Sequence, residues 1–422
     1  MKKAGPFSVL IFLITALYAQ TGIDSLRSFY QQSILAYSQG DYPLYLQLTQ
    51  KALRLAPTNY TLQYNFAAAL ALNGKNQEAI AQLDSLVEKG LGLVADNDPD
   101  FQSLRELPEF KRLLKKIKKI KTPVNRSWVA FTIKEKDLIP EGITYDPQKR
   151  DFYLSSVYKC KIVKIDAKGN LTDFTREKQD GLVPVVSVKA DPERRLLWAL
   201  STYGFFNSNT PRELLGTACV YKYHLDTGKL LKKYSLPKKE GHYLNDLVIA
   251  HNGDLYITDS RYAGIYRLDY QKDTLERWLS LRGYNYPNGI TLTPDEKRLY
   301  VSYSNGILAI DLNGSKATEV SSPTNIILAN CDGIYFYDNS LIGIQSFLNR
   351  VVRFYLDKNS PRVTHYKVLE SYNPDFVNPT NGVIVGRYFY FIANSQMNAF
   401  DNLGNLLPAD KLKDILILKN KL

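Results

Sequence analysis

One phrase occurs six times along this chain, and it limits the fold more than any other feature. In the copy from Pro287, PNGITLTPDEKRLYVSYS, a short apolar strand (GITLT) meets a tight Pro-Asp-Glu-Lys turn and then a second strand, RLYVSYS, of β-branched and aromatic residues. That composition suits a packed antiparallel hairpin. The other copies are PEGITYDPQKRDFYLSS from Pro140, VSVKADPERRLLWALST from Val186, LNDLVIAHNGDLYITDS from Leu244, CDGIYFYDNSLIGIQS from Cys331 and TNGVIVGRYFYFIANS from Thr380. Aligned on their turns, the copies open at Glu141, Val186, Asn245, Asn288, Asp332 and Asn381, positions 43 to 59 residues apart. A period of that length is the length of a four-stranded blade. The chain is therefore expected to be mainly β, a six-bladed β-propeller from 123 to 422. The strands at Trp128 to Ile133 and Asp414 to Leu422 are expected to share a blade and so close the ring, leaving no free sheet edge.

Ahead of the repeats the pattern changes. Residues 1–20 combine Lys2 and Lys3, an apolar run from Phe7 to Leu17 and a small residue at Ala19, the layout of a secretory signal peptide. The apolar run is too short for a comfortable membrane span, so a periplasmic or secreted protein with no stable span is expected. Cys160, Cys219 and Cys331 are the three cysteines, and none sits in a CxxC. An odd count in an exported chain argues against a disulfide framework.

Residues 21–122 carry helix formers without strand patterning. Gly40-Asp41-Tyr42 and Gly74-Lys75-Asn76 lie 34 residues apart, each between two apolar-periodic segments. That period resembles the tetratricopeptide repeat, two helices per unit, with a degenerate third copy over Asp98 to Lys119. Such a small all-α domain either holds a protein partner in its groove or caps the propeller. At its end, FKRLLKKIKKIK from Phe110 places Leu113, Leu114, Ile117 and Ile120 on one face and lysines on the other. Much of the net charge of +12 is concentrated there. A terminal helix with a solvated basic face accounts for it, and no basic groove interleaved with stacking aromatics points to nucleic acid.

In a propeller the innermost strands line the central channel, so the six opening residues form a ring. Five are polar, and Val186 is the exception. Oxygen from Glu141, Asn288 and Asp332, with Asn245, suits a hard divalent cation, and no His or Cys occupies these places. Two carboxylates balance one Ca²⁺; Mg²⁺, Mn²⁺ and Zn²⁺ are the other candidates. His242, three residues before Asn245, is placed near the mouth on this register as a candidate acid/base. Asn378 and Asn381 head the sixth blade and are candidates for the same mouth, a structural asparagine closing a turn being the competing reading of them.

The set PEGI at Glu141, LNDL at Asn245, PNGI at Asn288 and CDGI at Asp332 resembles the senescence-marker-protein/gluconolactonase family and its luciferin-regenerating and strictosidine-synthase-like relatives. The resemblance covers about Trp128 to Leu422. It implies metal-binding roles for Glu141, Asn288 and Asp332, a general-base role for Asp332, and substrate contact for Asn245, with Asp246 and Asn381 as further candidates. It also implies a metal-dependent lactonase or esterase acting on a small-molecule lactone or ester. Two departures stand out. Asn245-Asp246-Leu247 replaces the NDG of many members, and no arginine follows Glu141 where gluconolactonases contact a sugar acid. The alternative function is a noncatalytic envelope protein whose propeller binds a ligand or protein beside a helical-repeat adaptor.

Overall fold

The computed structural model of the chain is described here for residues 25–203, 212–401 and 404–422. The expected signal peptide, 1–20, lies outside the described residues. Among those residues no helix is long and apolar enough to cross a membrane. The chain divides after Thr122 into a helical unit and a second unit, Pro123–Leu422.

The helical unit contains α1 (25–38), α2 (Tyr42–Leu55), α3 (Tyr60–Leu72), α4 (Asn76–Val87) and α5 (Pro108–Ile120). Gly40 and Gly74 end α1 and α3 at φ of 74° and 72°, left-handed backbone that costs glycine little. Asp41 and Asn59 then cap α2 and α3, accepting from the amides of Leu44 and Leu62. Ala52, Ala67, Ala69 and Ala71 are buried, which lets the helices approach closely. Over Asp98 to Lys119, where a third helix pair is expected, the first member is a short 3₁₀ segment, Pro99–Leu104. Pro99 and Pro108 delimit it, and Phe101 leaves helical geometry inside it. In α5, Phe110, Leu113 and Ile117 are buried. Lys116 reaches Asp84 at 2.6 Å and Lys121 reaches Asp96 at 2.8 Å, so the basic face is solvated and partly paired.

The second unit is a six-bladed β-propeller of four-stranded antiparallel sheets. The first strand of each repeat phrase is the innermost of its sheet: Ile143–Asp146, Val185–Asp191, Leu244–Ile249, Ile290–Leu292, Cys331–Phe336 and Gly382–Val385. The sixth blade is sealed by both ends of the domain. Trp128–Ile133 pairs antiparallel with Ile415–Lys421, Thr132 standing opposite Leu416, as the sequence led one to expect. Apolar layers from neighbouring blades then pack face to face. Trp198 and Val220 of the second blade meet Leu247 and Ile257 of the third, and Ile265 of the third meets Ile290 and Val301 of the fourth.

Close approach between inner strands explains the glycines of the repeat. A Cβ at Gly289 would lie 2.5 Å from the Asp332 carbonyl and 2.7 Å from the Ile334 amide; one at Gly142 would lie 2.9 Å from Ser187 Cα. The equivalent positions in blades two and three carry Ser187 and Asp246, whose side chains bond to each other at 2.9 Å.

Candidate functional site

Four inner strands present their opening residue to the cavity at the hub, and three of these are entered through left-handed backbone. Ile139, Tyr286 and Asn330, two residues before Glu141, Asn288 and Asp332, take φ of 47°, 56° and 57°. Left-handed backbone at residues other than glycine persists where the surroundings over-determine it, and such strain gathers at functional sites. Register irregularities between Leu244 and Leu247 and between Cys331 and Ile334 bracket Asn245 and Asp332. Bulges of this kind re-aim side chains.

Hydroxyls at the ends of the second strands brace these turns from blade to blade. Thr202 Oγ1 donates to the carbonyl of Leu244 at 3.3 Å and Ser260 Oγ to that of Pro287 at 2.5 Å. Ser346 donates to that of Pro379. Thr380 Oγ1 ties the sixth blade to the Glu141 carbonyl at 3.1 Å. The signal for the first three braces was in the repeat, since every copy of the phrase ends on Ser or Thr, whereas Thr380 opens its copy.

The result is a cavity of about 420 Å³ at the hub. Glu141, Asn245, Asn288 and Asp332 all line it. Asn288 Nδ2 donates to Asp332 Oδ1 at 2.8 Å, and Ser346 Oγ stands 3.2 Å from Asp332 Oδ2. Asn245 Nδ2 donates to Ser260 Oγ at 2.9 Å. With their nitrogens so engaged, both amides have their oxygens left over. Asn245 Oδ1, Asn288 Oδ1 and Glu141 Oε2 are buried and have no hydrogen-bond partner in the protein. Unpaired buried oxygen is costly, and several such atoms around one cavity fit a cation that would accept them as ligands. Among the described residues no three His, Cys, Asp or Glu side chains converge; the donor set is two carboxylates completed by amides.

The charges agree with that reading. Burial pushes the Glu141 carboxyl well above its usual range, and the charges of Asp332 and Asp246 add to the effect. Burial likewise raises Asp332 to about 6, with Asp246 pushing the same way, against the hydrogen bonds from Asn288 and Ser346. Two crowded carboxyls that resist ionisation are what a site for positive charge looks like without its counterion. Burial also raises the Tyr286 phenol, and the charges of Asp332 and Glu141 add to the effect.

Other candidate residues lie elsewhere. His242 does not face the cavity. It is buried in the third blade, Nδ1 lies 2.6 Å from Asp259 Oδ2, and its ring packs edge-on to Tyr266 at 5.7 Å. Asp259 also accepts from the amides of Tyr243, Arg261 and Tyr262, so the pair stitches a turn. Asp246 sits behind the ring, bonded to Ser187 and 3.4 Å from Lys189 Nζ, and influences the site through its charge. Asn381 is turned aside because the Tyr335 hydroxyl donates to its Oδ1 at 2.8 Å. Val186 is buried. In their place the cavity is lined by Asn378, as expected, and by Tyr286, Tyr303, Ser346, Phe347 and Met397, which sequence reasoning passed over. Cys331 also lines it, but burial pushes its thiol up to about 12, so it is no nucleophile at neutral pH.

Comparison with known proteins follows the same outline. No curated protein matches the chain. Among solved structures, a PQQ-bound aldose sugar dehydrogenase from Streptomyces coelicolor is 14% identical over 71% of this chain and 99% of its own, at a TM-score of 0.50. A gluconolactonase from Xanthomonas campestris is 15% identical over 71% and 94% at 0.45, and a virginiamycin B lyase from Staphylococcus aureus 18% over 62% and 80% at 0.44. The first of these likenesses is one of fold alone. Residues 139–342 match the family model described as SMP-30/Gluconolactonase/LRE-like region. That span runs from the turn before Glu141 through Asp332, and over those residues the propeller is similar to that family.

Proposed function

We propose that the chain is an exported, divalent-metal-dependent hydrolase of lactones or related esters, with its site at the hub of the propeller. One observation carries the reading: Glu141 Oε2, Asn245 Oδ1 and Asn288 Oδ1, buried and unpaired, line the same cavity as the Asp332 carboxylate. Glu141, Asn288 and Asp332 would hold the cation, with Asn245 completing the set, and Ca²⁺ is favoured by an all-oxygen donor set with two carboxylates. Such a cation supplies Lewis-acid polarisation of an ester carbonyl and stabilises the oxyanion.

The chain's own groups do the rest. Asp332, held near pH 6 by burial, is ionised at neutral pH and faces the cavity as the base for an attacking water. As the water oxygen bonds to the acyl carbon, its proton passes to Asp332; the acyl C–O bond then breaks and the leaving alkoxide takes the proton back. Asn288 orients Asp332 through its donated bond. His242 has no part in this scheme.

Export rests on the lysines and apolar run before Ala19, and a tetratricopeptide-like role for the helical unit rests on the 34-residue spacing of its glycine turns. The test of the central claim is elemental analysis of the purified chain, followed by a lactone panel with Ca²⁺, with chelator, and in Glu141→Gln. Chelator-sensitive turnover that Glu141→Gln abolishes supports the hydrolase. Bound metal without turnover on a broad panel overturns it in favour of a ligand-binding propeller.

A further inference from the structure

The hub cavity is lined by both polar and apolar side chains. Its ionisable lining is two carboxyls, two phenols and the Cys331 thiol, and among the described residues no Lys, Arg or His lines it. Apart from the proposed cation, a substrate carrying a carboxylate or phosphate would therefore meet no countercharge from the protein's side chains. Many of the polar groups around the wall are already engaged. The Tyr303 hydroxyl donates to Glu319 at 3.0 Å, Thr380 to the Glu141 carbonyl, and Ser346 to Pro379, while Asn378 Oδ1 accepts from the Asn398 amide at 3.3 Å. A polyhydroxylated substituent would bury hydroxyls with few partners to receive them.

One apolar group of the wall is left unpacked. Phe347 is 83% exposed, in the 3₁₀ turn Ser346–Leu348 directly after the serine that touches Asp332. A large aromatic left that open at a cavity rim marks a contact surface more than a packing residue. Opposite in sequence, Tyr286 is held in left-handed backbone two residues before Asn288, and its ring stacks on buried Tyr243 at a centroid distance of 6.4 Å. A bulky residue kept in strained backbone at the wall is fixed there by its surroundings. Met397 adds an adaptable apolar surface.

We propose that this site takes an uncharged lactone or ester whose substituent is apolar, aryl or alkyl, and that Phe347, Tyr286 and Met397 receive that substituent. The lactone chemistry rests on the hydrolase reading above; the preference for an apolar group rests on the wall. A polar sugar-acid lactone is the class disfavoured.

Binding separates the two claims. The full chain with Ca²⁺ is titrated by calorimetry with two uncharged, non-hydrolysable δ-lactams, one bearing a phenyl group and one polyhydroxylated. The phenyl lactam is expected to bind at least ten-fold tighter. Phe347→Ala, at an exposed position that leaves folding intact, is expected to weaken the phenyl lactam about five-fold or more and the polyhydroxylated one less than two-fold. Equal or tighter binding of the polyhydroxylated lactam, no binding of either, or an unchanged phenyl lactam in Phe347→Ala overturns the proposal. Chelator-sensitive turnover of aldonolactones beside any of those results leaves the hydrolase standing without the preference. Phenyl-lactam selectivity without turnover keeps the preference and removes the hydrolase.

Discussion

Asn288 and Asp332 head neighbouring blades, and the amide nitrogen of the first donates to the carboxylate of the second at 2.8 Å. That single bond settles the amide's orientation, because committing Nδ2 to Asp332 leaves Oδ1 as one of the buried oxygens without a protein partner. The donor that restrains one proposed ligand thus prepares the other. Asn288→Ala removes both effects at once. It is expected to weaken Ca²⁺ binding roughly 10- to 100-fold, measured by calorimetry, with the far-ultraviolet circular dichroism of the propeller retained. Unchanged Ca²⁺ affinity would remove Asn288 from the donor set.

Gly289 bears on the same junction through backbone. A methyl there would meet the Asp332 carbonyl and Ile334 amide, which belong to the next inner strand and cannot swing away. Gly289→Ala is expected to cost about 1–3 kcal/mol of stability as an overpacked contact, and to weaken Ca²⁺ binding by displacing Asp332. Gly314, with nothing within 4 Å, is the control whose alanine variant should unfold like the wild type. Denaturant melts of the two variants decide the matter.

The crowded acids give the metal-free chain an unusual pH dependence. Asp332 lies near 6 and Glu141 well above its ordinary value, so between the usual carboxylate range and pH 6 the folded chain holds protons that the unfolded chain has released. Stability from these groups is present in full below the unfolded values and is lost as pH rises through the folded ones. With chelator present, the melting temperature should therefore fall between pH 4.5 and 7 more steeply in the wild type than in Asp332→Asn. Saturating Ca²⁺ should flatten the wild-type curve. An equal slope in the two chelated proteins would contradict the assigned shift.

Ring closure depends on a strand from each end of the domain. Ile417 is buried and pairs with Phe131 on one side and Ile392 on the other. Ile417→Ala is expected to cost about 2–5 kcal/mol, the range for deleting a buried isoleucine side chain. Guanidinium melts followed by circular dichroism give the difference. A cost under about 1 kcal/mol would mean that the seal contributes little to stability.

The propeller was legible in the residues because its determinants are local and repeat. Alternation of apolar side chains, Pro, Asn, Asp and Gly at turns, and a polar residue at the mouth of five of six inner strands are properties of short segments. Repetition then sets the blade number and brings Glu141, Asn245, Asn288 and Asp332 to one ring. Which of the polar residues keep a face toward the cavity is a different kind of fact. Asn381 loses its place to a hydroxyl from Tyr335 in the preceding blade, and His242 is drawn into its own blade by Asp259. Phe347 and Tyr286 gain theirs from turns whose residue types do not repeat. Periodicity acts along one strand and can be read there. Orientation is decided by side chains from other strands, of the same blade for His242 and of the neighbouring blade for Asn381, where a hydrogen bond of about 3 Å outweighs any preference written in the segment itself.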